Sequence, residues 1–92
     1  VSAFPILSRF QNDCHVKVVE ATPEQTIDAL AAECARHSIG LHVADQPGMI
    51  LRVRATTEAD DAEPWPRDIT VAEARLKHFD CIDVYFTDSD AA

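Results

Sequence analysis

The chain has 92 residues, 47% of them hydrophobic, and a formal net charge of −8 from 16 acidic against 8 basic side chains. That length predicts one globular domain over residues 1–92, burying roughly 60–65% of its unfolded-chain surface. The acidic balance excludes a nucleic-acid binder, which needs surplus Lys and Arg against phosphate, disfavours docking on anionic membrane, and is joined by no apolar run long enough to cross a bilayer.

The first predicted element alternates, with Phe4, Ile6, Ser8 and Phe10 on one side and Pro5, Leu7 and Arg9 on the other. That is the period of a strand with one apolar face. Pro5 has no N–H to give a ladder, so it should direct that position away from a neighbour. "QND" at 11–13 is turn chemistry. "CHVKVVEA" then predicts a second strand with Val16 and Val18 inward and His15 and Lys17 outward, completing a hairpin.

"TPEQ" at 22–25 carries a helix-start signal, with Thr22 as cap, Pro23 at the first helical position and Gln25 closing a capping box. Ile27, Leu30, Ala31, Cys34 and Ser38 follow at helical spacing, and Gly40 suits the C-terminal end. The prediction is a helix of about 17 residues. It bears on "CARHSIGLH", where Cys34, His37 and His42 suggest metal ligands. Cys34 falls within the core stripe, where a free thiol behaves as a small hydrophobe. His37 sits at the stripe's edge, near the negative end of the helix dipole. His42 comes after the cap, and no second ligand pair accompanies them, so the spacing predicts packing rather than zinc.

"DQPG" at 45–48 is a turn, and "MILRVRA" alternates Met49, Leu51 and Val53 against Ile50, Arg52 and Arg54. An acidic, proline-bounded loop follows and holds Trp65, either as a ring closing one end of the core or as an anchor for a partner. Thr70 and Glu73 form a second capping-box pattern over a short helix whose Val71, Ala74 and Leu76 can pack inward. The last strand sets Ile82, Val84 and Phe86 against Cys81, Asp83 and Tyr85, and residues 89–92 should fray.

This order, ββαβ, short helix, β, predicts a two-layer α+β domain with one helix over a mixed four-stranded sheet. The first and last strands should pair in parallel at the centre. The helix is expected to cover Phe4, Ile6, Val16, Val18, Leu51, Val53, Ile82 and Val84. Three cysteines, odd in number and widely spaced, fit reduced thiols in a cytoplasm, and no signal segment opens the chain.

The layout resembles the ubiquitin-like β-grasp. "SAFPI", "GMILRVR" and "WPRDITVAEARL…IDVYF" are moreover similar, in order, to the small gamma subunits of toluene monooxygenase hydroxylases and of related isoprene and alkene monooxygenases. The resemblance implies a non-catalytic subunit bound to the outside of a large subunit that carries a carboxylate-bridged diiron centre. It implies also a beta subunit, two copies of each of three chains, and an effector protein, a Rieske ferredoxin and a reductase in the wider system. No cofactor or catalytic residue carries over to this chain. Its loop "TTEADDAEP" is longer and more acidic than the family pattern.

The residues themselves offer little chemistry. Glu33 and His37 stand at i and i+4 without the repeat that a diiron bundle needs. Cys34 and His37 make the best nucleophile–base pair, yet core packing accounts for the thiol. There is no plant-type iron–sulfur cysteine run and no phosphate loop, with glycine only at 40 and 48. The end Ser89-Asp90-Ala91-Ala92 lacks the Gly-Gly of a ubiquitin-like modifier or sulfur carrier. The outer sheet face is the expected docking surface, with Pro5, Leu7, Ile50, Arg52, Arg54 and Tyr85 on it and Trp65 and Arg67 nearby. The rival expectation is a stand-alone β-grasp interaction module with another protein partner.

Overall fold

The computed structural model describes residues 3–40, 43–56 and 63–88. Within these, β1 (Phe4–Phe10) and β2 (Lys17–Ala21) form an antiparallel hairpin, followed by α1 (Ile27–Ser38), β3 (Met49–Ala55) and β4 (Cys81–Asp88). The sheet order is β2-β1-β4-β3, with β1 and β4 parallel at the centre and the two outer pairs antiparallel. α1 lies across one face and supplies the crossover that a parallel pair requires. The arrangement is the expected β-grasp.

The helix stripe packs as its spacing predicts: Ile27, Leu30, Ala31, Cys34 and Ser38 are all buried. They meet Phe4, Ile6 and Phe10 of β1, Val19 and Ala21 of β2, Val53 of β3, and Ile82, Val84 and Phe86 of β4 in one core that also takes Val71. Gly40 follows the helix at φ 86°, a left-handed position that favours glycine.

Three expectations are corrected. The first concerns β2, where Val19 and Ala21 point inward while Val16 and Val18 are 54% and 59% exposed. Pairing opposes Ser8 to Lys17 and Leu7 to Val18, so the connection between the strands is longer than a three-residue turn. Asp13 fixes that length. Its carboxylate accepts from the Ser38 hydroxyl at 2.7 Å and from the His15 N–H at 3.0 Å, with the Lys17 ammonium 3.5 Å away. A one-residue change of register turns every side chain of a strand to the other face.

The second concerns the helix start. The cap is Thr26, whose hydroxyl accepts from the Ala29 N–H, and the helix runs 12 residues. Thr22 and Gln25 do bond to each other, but around a turn. Residues 67–72 claim the neighbouring backbone. Ala72 and Val71 donate to the carbonyls of Pro23 and Gln25, while Ile27 and Asp28 donate to those of Ile69 and Arg67. Those last two bonds occupy N–H groups that a helix start otherwise leaves unpaired, so tertiary pairing overrides the local cap signal.

The third is Arg52, expected on an exposed face and only 7% exposed. Residues after the acidic loop run along the outer edge of β3, where the Trp65 N–H donates to the Val53 carbonyl at 2.9 Å and Arg52 donates to the Trp65 carbonyl at 3.2 Å. The short helix after Thr70 is a single turn. Thr70 and Glu73 bond reciprocally as a capping box, and Arg75 at φ 62° ends it. Among the described residues no helix is long and apolar enough to cross a membrane.

Pro5 illustrates how the fold accommodates its missing donor. Odd residues of β1 direct their backbone toward the β4 side: the Phe79 N–H donates to the Pro5 carbonyl and the Leu7 N–H to the Asp80 carbonyl. Pro5 lies beyond the start of β4, which begins opposite Leu7. No strand there needs an N–H from it.

Candidate partner interface

Alternation fixes the composition of the sheet face turned away from α1. Val18 lies beside Leu7, and Leu7 beside Cys81, making an apolar row. The next row is Arg9, Asp83 and Arg54, and beyond it Tyr85 opposes Arg52 and Thr87 opposes Ile50. Pro5 opposes Glu20 at the other end. The outer face thus brings together Pro5, Leu7, Ile50, Arg54, Tyr85 and the buried Arg52. It does not bring in the other two expected residues. Trp65 is half-buried against the core beside the β3 edge. Arg67 grips Asp28 in the first turn of α1 through two bonds, at 3.0 and 3.2 Å, and so belongs to the helix side.

Asp83 organises the polar row. It accepts from the Thr56 hydroxyl at 2.8 Å and lies 3.5 Å from the guanidinium groups of both Arg9 and Arg54. The Arg54 guanidinium also lies 4.8 Å over the Tyr85 ring, a cation–π contact. A groove of about 500 Å³ opens where this row meets the hairpin, lined by Arg9, residues 11–16, Arg54, Asp83 and Tyr85. Asp83, expected on this face but not as a contact, and Arg9, Cys81 and Val18 lie outside the candidate set. The first three follow from strand alternation, whereas Val18 required the register of β2.

The groups that suggested chemistry are engaged otherwise. Cys34 is fully buried, and burial pushes its thiol up to about 11, which keeps it neutral and a poor nucleophile or ligand. Glu33 is bonded to Arg36, which lowers its carboxyl below the usual range, and His37 approaches it at 3.5 Å. One helix carrying this surface ion network does not fit a diiron centre, which takes carboxylates and histidines from several helices. His42 lies outside the described residues. Asp13, Cys14 and His15 place ligand atoms within 4.8 Å of one another, with Cys14 Sγ 3.1 Å from His15 Nδ1. Asp13, however, is already bound to Ser38, Lys17 and the His15 backbone as the anchor of the hairpin.

The family described as toluene-4-monooxygenase system protein B (TmoB) matches residues 3–86. The chain belongs to this family. A relative from Ectopseudomonas mendocina, the toluene-4-monooxygenase system hydroxylase component subunit gamma, is 35% identical over 86 residues, covering 94% of this chain and 98% of its own. A solved structure, the toluene 4 monooxygenase HD complex with the inhibitor 4-bromobenzoate, contains a chain that is likewise 35% identical. It matches with a TM-score of 0.84 over 94% of this chain and 100% of that one. Membership in the TmoB family agrees with the strand order described above.

Proposed function

We propose that this chain is the gamma subunit of a bacterial multicomponent monooxygenase hydroxylase that oxidises aromatic or alkene hydrocarbons, and that it has no catalytic centre of its own. The observation that carries the reading is the near end-to-end correspondence with the gamma subunit from Ectopseudomonas mendocina, 94% of one chain against 98% of the other. In this reading the diiron centre belongs to the large subunit, and a beta subunit completes an assembly with two copies of each chain. Effector protein, Rieske ferredoxin and reductase act on that assembly. A cytoplasmic location accords with three free thiols at Cys14, Cys34 and Cys81.

The gamma chain docks on the large subunit through the outer sheet face, where Leu7, Ile50 and Tyr85 supply apolar contact and arginines stand among them. Tyr and Arg are the side chains that most often anchor such surfaces. The Arg54–Asp83–Arg9 row is pre-assembled, so little side-chain freedom is lost on binding.

The test is affinity capture of the tagged chain from its native cells, with partners identified by mass spectrometry and iron measured in the eluate. A large iron-bearing hydroxylase subunit is expected with the wild-type chain and is depleted by Ile50→Asp, a change on the outer face of β3. Hydrocarbon turnover or stoichiometric metal in the isolated chain would overturn the reading, as would capture of an activating enzyme in place of a hydroxylase.

A further inference from the structure

The two edges of the sheet are finished differently. Along β3 the chain covers its own edge, with Trp65 bonded to Val53 and Arg52 bonded back to Trp65. β2 is the other edge, and no described residue pairs with its outer side. Its outward backbone groups follow from the register. Odd residues of β1 bond toward β4, so Phe4, Ile6 and Ser8 bond to Ala21, Val19 and Lys17. Val18 and Glu20 therefore turn their N–H and C=O groups outward. Native edges are ordinarily blunted by proline, a bulge or an outward charge. This one carries one exposed charge, Glu20, and beside it exposes Val16 and Val18, two of the three large hydrophobic residues most open to solvent among those described. Lys17, the strand's own cation, is turned inward onto the His37 carbonyl at 2.9 Å.

We propose that the open edge of β2 takes up an extended segment of a neighbouring hydroxylase subunit as a fifth strand. The segment carries apolar side chains against Val16 and Val18 and a Lys or Arg against Glu20. Main-chain bonds to Val18 and Glu20 hold it, and side chains of alternate residues set its identity. The charge on the strand argues for a different polypeptide over a second copy. Antiparallel self-pairing centred on Val18 opposes Val16 to a second copy's Glu20; centring on Val19 opposes Val18 to it; centring on Glu20 opposes two like charges. Centring on Lys17 matches the valines but draws residues 14 and 15 of the turn into the ladder. The edge is also continuous with the face assigned to docking, since Val18 sits beside Leu7. The inference rests on the gamma-subunit reading.

Amide hydrogen exchange on the assembled hydroxylase and on the isolated chain tests it. The amides of Val18 and Glu20 should exchange readily in the isolated chain and slow about a hundredfold on assembly. Val18→Pro removes one outward N–H without touching the β1 ladder, and an edge tolerates it. It should weaken assembly about tenfold, as loss of a main-chain bond predicts, while Val18→Thr does not. If the wild-type chain assembles yet both amides exchange as in isolation, or folded Val18→Pro assembles like wild type, the fifth strand is refuted and the gamma-subunit reading stands. If the wild-type chain joins no hydroxylase, that reading fails and the inference with it. Concentration-dependent protection in the isolated chain identifies a second copy and refutes the hetero-pairing. If Val18→Pro does not fold, the exchange comparison on the wild-type proteins decides.

Discussion

Arg54 and Asp83 face each other across β3 and β4, 3.5 Å apart, with side chains only 16% and 14% exposed. A pair this sheltered depends on both members, because removing one leaves the other's charge in a poorly solvated place. Asp83 also serves Arg9 and Thr56. Asp83→Ala should therefore destabilise the isolated chain by about 2–3 kcal/mol. In a domain of this size that lowers Tm by roughly 10–20 °C, measurable by calorimetry. An unchanged Tm would show that the row is solvated and contributes nothing.

The same geometry dictates how docking must be probed. Reversing Arg52 or Arg54 to Glu looks like an interface test in the sequence, but both side chains are committed within the subunit. Arg52→Glu would bury a carboxylate beside the Trp65 carbonyl, and Arg54→Glu would confront Asp83. Both variants should lose Tm in the isolated chain before any partner is added, by an amount equivalent to 3 kcal/mol or more, as expected for an uncompensated buried charge (~3–5 kcal/mol). Ile50→Asp, half-exposed at the sheet edge, should keep its Tm and lose only partner affinity. Thermal melts of the isolated variants, set beside capture yields, separate the two effects.

Strand identity, the central parallel pair and the buried stripe of α1 were legible in the sequence because period and residue type agree there. Ile27, Leu30, Ala31, Cys34 and Ser38 carry one unbroken helical spacing, and all five are buried. β2 was not legible, because "VKVV" offers valine in either register and the choice lies with Asp13, whose partner Ser38 is 25 residues away. The helix start was displaced for the same kind of reason: Thr22 and Thr26 both suit a cap, and segment 67–72 chooses between them. Alternation set Pro5, Leu7, Ile50, Arg52, Arg54 and Tyr85 on one sheet face, but it did not show that Arg52 is buried there. Trp65 and Arg67 follow a loop whose course no local pattern encodes.

Thr26 is the cap that the fold uses, so Thr26→Ala should cost about 1 kcal/mol, whereas Thr22→Ala should cost less because its backbone, rather than its hydroxyl, makes the turn bonds. Urea midpoints for the two variants give the ranking directly. Equal losses would mean that Thr22 also supports the helix.

Ser8 sits on the central strand, fully buried beneath α1, and its hydroxyl has no nitrogen or oxygen partner among the described residues. A buried hydroxyl so poorly satisfied is a cost to the fold. Ser8→Ala should accordingly stabilise the chain by about 1 kcal/mol, seen as a higher urea midpoint with unchanged slope. Loss of stability would reveal a partner that the hydroxyl does hold.

Cys34 gives the fold an alkaline limit with a definite sign. Burial raises its pKa from 9.0 to about 11 in the folded chain, while the unfolded chain keeps the ordinary value. Below pH 9 the thiol is neutral in both states and contributes no pH dependence. Between 9 and 11 the unfolded thiol ionises and the folded one does not, so the folded state holds more protons and stability falls as pH rises. Cys34→Ala should flatten that part of the stability curve relative to wild type. At pH 8 iodoacetamide should label exposed Cys14 while Cys34 stays unmodified until the chain unfolds. Rapid labelling of Cys34 in the folded chain would mean that the helix opens over it.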